Sequence, residues 1–241
     1  MSQNNNVNSS GNYSTAPHKE IPAFLVAGGK PRDLSSMTRM FSCAFREIEN
    51  AQVAYIGTAN GDSRVFFQMM KSVLMKAGAK KVFFLHLAKK NPDLDAARNI
   101  LVNADVIFLA GGEVEDGMNW LKKHGLVGFL KDMYSKGKRF MGVSAGVIMM
   151  GAHWVHWDVE GDDSTSSLFD CLGITPALFD VHAEDEDWVE LKAALKLMGD
   201  GARGYGLPSG CMISADSHGT LVNLEKEYLV FVNESGSIRI I

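Results

Sequence analysis

Cysteine is scarce. The three residues, Cys43, Cys171 and Cys211, are scattered and odd in number. They form neither a disulfide framework nor a C-x-x-C metal pair, and they fit a reducing compartment. Basic charge is also short: 24 Lys and Arg stand against 28 Asp and Glu, for a net charge of −4. With no basic patch evident, nucleic acid is not the expected partner. No apolar run approaches the ~20 residues that cross a bilayer, so no membrane partner is expected. Residues 1–20 are rich in Asn and Ser and lack an apolar core, so they are expected to be a disordered leader rather than a signal peptide. The cytoplasm is the default location. Pro-rich linkers and internal repeats are absent, and one α/β domain is expected over residues 21–241.

What is present is a regular alternation. Apolar runs at Ile21–Ala27, Gln52–Thr58, Lys81–Leu87, Asp105–Ala110 and Arg139–Val143 read as strands. Helical spacing follows each: Met37, Met40, Phe41, Ala44, Phe45 and Ile48 after the first, and Phe66, Met69, Met70, Val73, Leu74 and Ala77 after the second. The strands are continuously apolar rather than alternating, so both faces should be covered. That pattern predicts a doubly wound, mostly parallel sheet with helices on both faces. Functional groups in such sheets gather at the carboxyl ends of the strands. Gly28-Gly29-Lys30 lacks phosphate-loop spacing and reads as an ordinary turn. Beyond residue 150 the texture changes to short strands, with a helix expected from about Trp188. The acidic run Glu184-Asp185-Glu186-Asp187 should supply that helix's first turn.

Two strand ends carry chemistry. Gly142, Ser144 and Gly146 complete G-x-S-x-G, a tight strand-to-helix bend that projects a serine hydroxyl at the sheet edge. Gly111-Gly112, after the fourth strand, leave a backbone N–H approachable, as an oxyanion site requires. His182 closes an apolar run 38 residues beyond Ser144. A serine hydroxyl needs a base to take its proton as it attacks, and neutral imidazole suits that task.

These three motifs, Phe108-Leu109-Ala110-Gly111-Gly112, Gly142-Val143-Ser144-Ala145-Gly146 and Phe179-Asp180-Val181-His182, resemble the S51 serine peptidases, which include the peptidase E and cyanophycinase groups. The resemblance implies a class I glutamine amidotransferase-like fold with serine in place of cysteine. It also implies that Ser144 is the nucleophile, His182 the general base, and Gly112 with the Ala145 amide the oxyanion site. Asp180 matches a residue of the cyanophycinase-type D-Q-H-F motif. For the acid of a triad the family pattern points to Glu160 or Asp162, with Asp158 and Asp163 at the margin. Three departures appear. Ser209 stands in a late G-L-P-E-G-like turn, acids occupy the positions of the cyanophycinase arginines after His182, and Glu113 replaces the usual Asn or Asp.

The expected function is therefore a serine peptidase or amide hydrolase acting on a small peptide or isopeptide, without cofactor or metal. A homodimer is compatible with the sequence. A non-catalytic binding protein on the same fold is the alternative. An amidotransferase-type glutaminase is disfavoured because no cysteine lies in an elbow. The acids near His182, with Glu113, would favour a substrate bearing positive charge.

Overall fold

A computed structural model of the chain describes residues 22–28, 34–159 and 161–241. The expected leader, Gly29-Lys30, the Asp33 helix start and Glu160 lie outside the described residues. The elements follow in order: β1 (Ala23–Val26), α1 (Leu34–Ser42), β2 (Gln52–Ile56), α2 (Arg64–Ala77), β3 (Lys81–Leu85), α3 (Leu94–Asn103), β4 (Val106–Leu109), α4 (Val114–Lys123), α5 (Val127–Ser135), β5 (Arg139–Val143) and α6 (Ala145–Met150). Then come β6 (His153–Trp157), β7 (Ser166–Asp170), β8 (Leu178–Val181), α7 (Val189–Met198), β9 (Arg203–Leu207), β10 (Met212–Ala215), β11 (Leu221–Glu225), β12 (Leu229–Glu234) and β13 (Ser237–Ile240).

The main sheet has seven strands in the order β11-β10-β1-β5-β4-β2-β3. Its five β1-to-β5 strands are parallel, and β10 and β11 extend one edge in antiparallel pairing. Successive residues of the central strands feed opposite faces. On β4, Ile107 and Leu109 pack with Leu101, Met118, Leu121 and Leu130 of α3, α4 and α5. Val106 and Phe108 pack with Phe41, Phe67, Met70 and Leu74 of α1 and α2. All four β4 residues are buried, which is why the strand reads as an unbroken apolar run. Phe108 stacks on Tyr55 at 5.4 Å and meets Phe41 edge-on at 5.5 Å.

The first helix is shorter than its periodicity predicts. It ends at Ser42, a 3-10 turn covers Cys43–Phe45, and Glu47 and Asn50 take positive φ. Helical φ cannot continue through such residues. The terminal strands divide between two sheets. β10 and β11 join the main sheet, whereas β9, β12 and β13 join β8 in a four-stranded sheet of order β13-β12-β9-β8. β6 and β7 form a separate antiparallel hairpin. Among the described residues no helix is long and apolar enough to cross a membrane.

Candidate active site

The bend after β5 is sharp because the chain leaves it no alternative. Ser144 sits at φ 54° and ψ −126° between β5 and α6. A non-glycine residue in this region costs about 1–3 kcal/mol and persists only where its surroundings over-determine it. Here they do. The Ser144 N–H donates to Val26 O at 3.1 Å. A Cβ on Gly142 would lie 2.6 Å from Gly146 O, and one on Gly146 would lie 2.2 Å from Leu109 O. Both glycines are required by backbone packed against backbone.

β4 lies beside β5, with Leu109 opposite Gly142, so Gly111 and Gly112 emerge next to Ser144. A Cβ on Gly111 would approach the Ser144 Cβ to 2.9 Å. Gly112 has φ 142°, and a Cβ there would sit 2.0 Å from Ala59 O. The loop after β2 holds this turn in place. Asn60 Nδ2 donates to Gly111 O at 2.8 Å, and the Glu113 N–H donates to Ala59 O at 2.7 Å. Ala145 opens α6, where the first amides have no acceptor within the helix. The expected oxyanion pair, Gly112 and Ala145, thus flanks the serine.

His182 arrives from the second sheet. It follows β8, takes φ 46°, and its N–H donates to Leu207 O at 2.9 Å. Its ring reaches Ser144, with Nε2 2.7 Å from Oγ. With a neutral imidazole protonated at Nδ1, the serine hydroxyl donates to Nε2.

The structure does not bring Asp162 to His182. The Asp162 carboxylate accepts from the Ser164 N–H at 2.9 Å and the Ser164 hydroxyl at 2.6 Å, capping a 3-10 turn in an exposed loop. These bonds hold its carboxyl below the usual carboxylate range. Among the described residues the His182 ring bonds to no carboxylate, and Ser144 is its side-chain partner. A short polar residue following a loop Gly satisfies its own turn first, which accounts for Asp162; Glu160, the other candidate, lies outside the described residues.

Asp180 is placed two residues before His182 and is 2% exposed. Its Oδ1 accepts from the Val181 N–H at 2.7 Å, while Oδ2 has no partner among the described residues. Desolvation pushes its carboxyl up to about 7, opposed by the Val181 hydrogen bond and by the nearby Leu191 N–H, which stops short of a hydrogen bond, and assisted by the charges of Glu186 and Glu184.

Ser144 and His182 open into a cavity of about 520 Å³. Sequence reasoning missed Ile148, Trp154, Trp157 and Glu190 in its lining, whereas Glu186 belongs to the acidic run expected near His182. The acidic run does not form the first turn of α7 as expected. Glu184–Glu186 make a 3-10 turn, and Asp187 and Trp188 then take left-handed φ before the helix starts at Val189. The cause is Trp188, which is buried against Gly206 and Phe231 and forces a break in the chain before α7. Asn60 was also missed; its place in the polar turn Ala59-Asn60-Gly61-Asp62 was the available signal. Near the rim, His156 Nδ1 donates to Glu115 Oε1 at 2.7 Å, which raises the His156 pKa. Among the described residues no three His, Cys, Asp or Glu side chains are grouped to hold a metal ion.

The model of peptidase family S51 matches residues 23–222. The chain belongs to peptidase family S51. It is therefore a serine-type peptidase, a hydrolase. A search of curated proteins finds no significant match for this S51 peptidase. Two solved structures share its fold. One is a protein assigned as a peptidase E from Listeria monocytogenes EGD-e, at 16% identity and a TM-score of 0.64, covering 86% of this chain and 99% of that one. The other is a peptidase from an acI-B1 Actinobacterium, at 14% identity and a TM-score of 0.63, covering 92% of this chain and 97% of the other. These likenesses support the class I glutamine amidotransferase-like architecture expected from the motifs.

Proposed function

We propose that this S51 peptidase cleaves a small peptide or isopeptide through an acyl-enzyme on Ser144, with His182 as general base and residues 21–241 acting as one hydrolytic domain. The observation that carries the reading is the 2.7 Å approach of His182 Nε2 to a serine held at positive φ beside Gly112. In the first step Ser144 Oγ bonds to the carbonyl carbon as its proton passes to His182 Nε2. The carbonyl oxygen becomes an oxyanion that accepts from the Gly112 and Ala145 N–H groups, each such donor being worth about 3 kcal/mol. The C–N bond breaks and the leaving amine takes the proton from His182. Water then attacks the acyl ester with His182 again as base, releasing the acid and restoring the serine hydroxyl. Strain at Ser144 presets the hydroxyl, so no reorganisation is needed at the moment of attack.

A fluorophosphonate probe tests the assignment. It should label the native protein at Ser144, and Ser144→Ala and His182→Gln should abolish labelling while leaving the fold intact. Labelling that survives Ser144→Ala would remove the serine from its role.

A further inference from the structure

Six carboxylates line the cavity. Glu113, Glu115 and Asp116 stand at the start of α4, Asp180 is the penultimate residue of β8, Glu186 lies in the turn after His182, and Glu190 is in the first turn of α7. Among the described residues no Lys or Arg joins them. These segments are distant in sequence and are gathered by two different sheets. Like charges in a concave wall focus the field and concentrate cations there, Asp180 adding its charge only above its raised pKa.

A run of acids on a solvated surface would mean little. Asp180 distinguishes this one. It is all but inaccessible at 2% exposure, and its Oδ2 has no donor among the described residues. A buried carboxyl oxygen without a donor is costly, and the residue that carries it lines the cavity wall. Trp157 Nε1 on the facing hairpin is likewise buried without an acceptor. Trp154 and Trp157 line the same cavity as the carboxylates. Tryptophan side chains beside carboxylates suit the aliphatic stem and the charged head of a lysine or arginine side chain.

We propose that the cavity selects short peptides carrying a basic side chain and rejects acidic ones. This deepens the hydrolase reading and rests on it for the statement that Ser144 acts on the bound peptide. The recognition is a matter of binding, so it is tested on protein that cannot turn over.

Calorimetric titration of the Ser144→Ala protein with lysyl and arginyl dipeptides, against aspartyl and uncharged dipeptides of matched length, reads the selectivity directly. Basic peptides should bind roughly tenfold or more tightly than uncharged ones, the difference expected of one charge-assisted contact. The gap should narrow as salt is raised. Glu186→Gln combined with Glu190→Gln, at an exposed and a half-buried position, should shrink it to a few-fold without unfolding the protein. Wild-type kcat/KM should rank the peptides in the same order. Equal or tighter binding of acidic or uncharged peptides, or no binding of basic ones, overturns the proposal. Selective binding of basic peptides by a wild-type protein that neither cleaves them nor takes a fluorophosphonate label would support the cavity's selectivity and sink the hydrolase reading. Labelling at Ser144 together with faster cleavage of acidic peptides would do the reverse.

Discussion

Replacing Asp180 by Asn isolates the free energy of a carboxyl that burial discourages from ionising. Its ordinary pKa of 3.8 is displaced to about 7 in the folded protein, roughly 3 pH units. At 1.36 kcal/mol per unit this amounts to about 4 kcal/mol as an upper bound. The direction is opposite to that of a salt-bridged carboxylate. Between about pH 4 and pH 7 the folded state still holds the proton while the unfolded chain has lost it. Stability therefore falls as pH rises through that window, and it is flat on either side as far as this group is concerned. The Asn variant keeps the oxygen that accepts from the Val181 N–H but has nothing to ionise. Urea denaturation of both proteins across the window should show the variant gaining on the wild type by a few kcal/mol from the acidic to the alkaline end. The difference between the two curves cancels the titration of every other group. Parallel curves, with a constant gap at all pH values, would show that Asp180 ionises normally and would refute the account of its burial.

The glycine positions give two further tests. Gly112→Ala places a Cβ 2.0 Å from Ala59 O and must displace the amide beside Ser144; kcat should fall by about 10²–10³, and near-wild-type kinetics would remove Gly112 from the oxyanion site. Gly146→Ala drives a Cβ to 2.2 Å from Leu109 O and levers α6 off β4. A loss of about 2–4 kcal/mol is expected, read as a drop in Tm of roughly 5–10 °C; an unchanged Tm would mean that the elbow tolerates a side chain there. His156, bonded and paired to Glu115, should titrate by NMR with a midpoint above its ordinary 6.5. Its pairing is thus fully present at low pH and is lost as pH rises through that midpoint, and Glu115→Gln should bring the midpoint back down. A midpoint indifferent to Glu115→Gln would contradict the contact.

The parallel core and the elbow were legible because both are local consequences of residue type. A strand buried on both faces must be apolar throughout, as Val106 to Leu109 are. A bend with backbone in van der Waals contact on each side admits only Gly142 and Gly146 around Ser144. The acid of a triad was not legible in this way. Of its two candidates, Glu160 lies outside the described residues, and Asp162 has the right residue type at a plausible spacing while its carboxylate accepts from Ser164, two residues away. The run Glu184 to Asp187 looked like the start of a helix, and the burial of Trp188 decided otherwise.

By itself, then, the sequence determined which residues can bend, which must be buried, and which hydroxyl and imidazole have chemistry to offer. Only the tertiary structure decided that β4 and β5 are neighbours, that β10 and β11 leave the other late strands to join the main sheet, and that β8 delivers His182 from a different sheet to Ser144. It also gathered carboxylates from α4, β8 and α7 into one cavity. The reason is physical. Steric limits and burial act on each residue and its near neighbours, whereas strand order and the meeting of distant side chains come from pairing between segments whose separation along the chain carries no record of the partner each will choose.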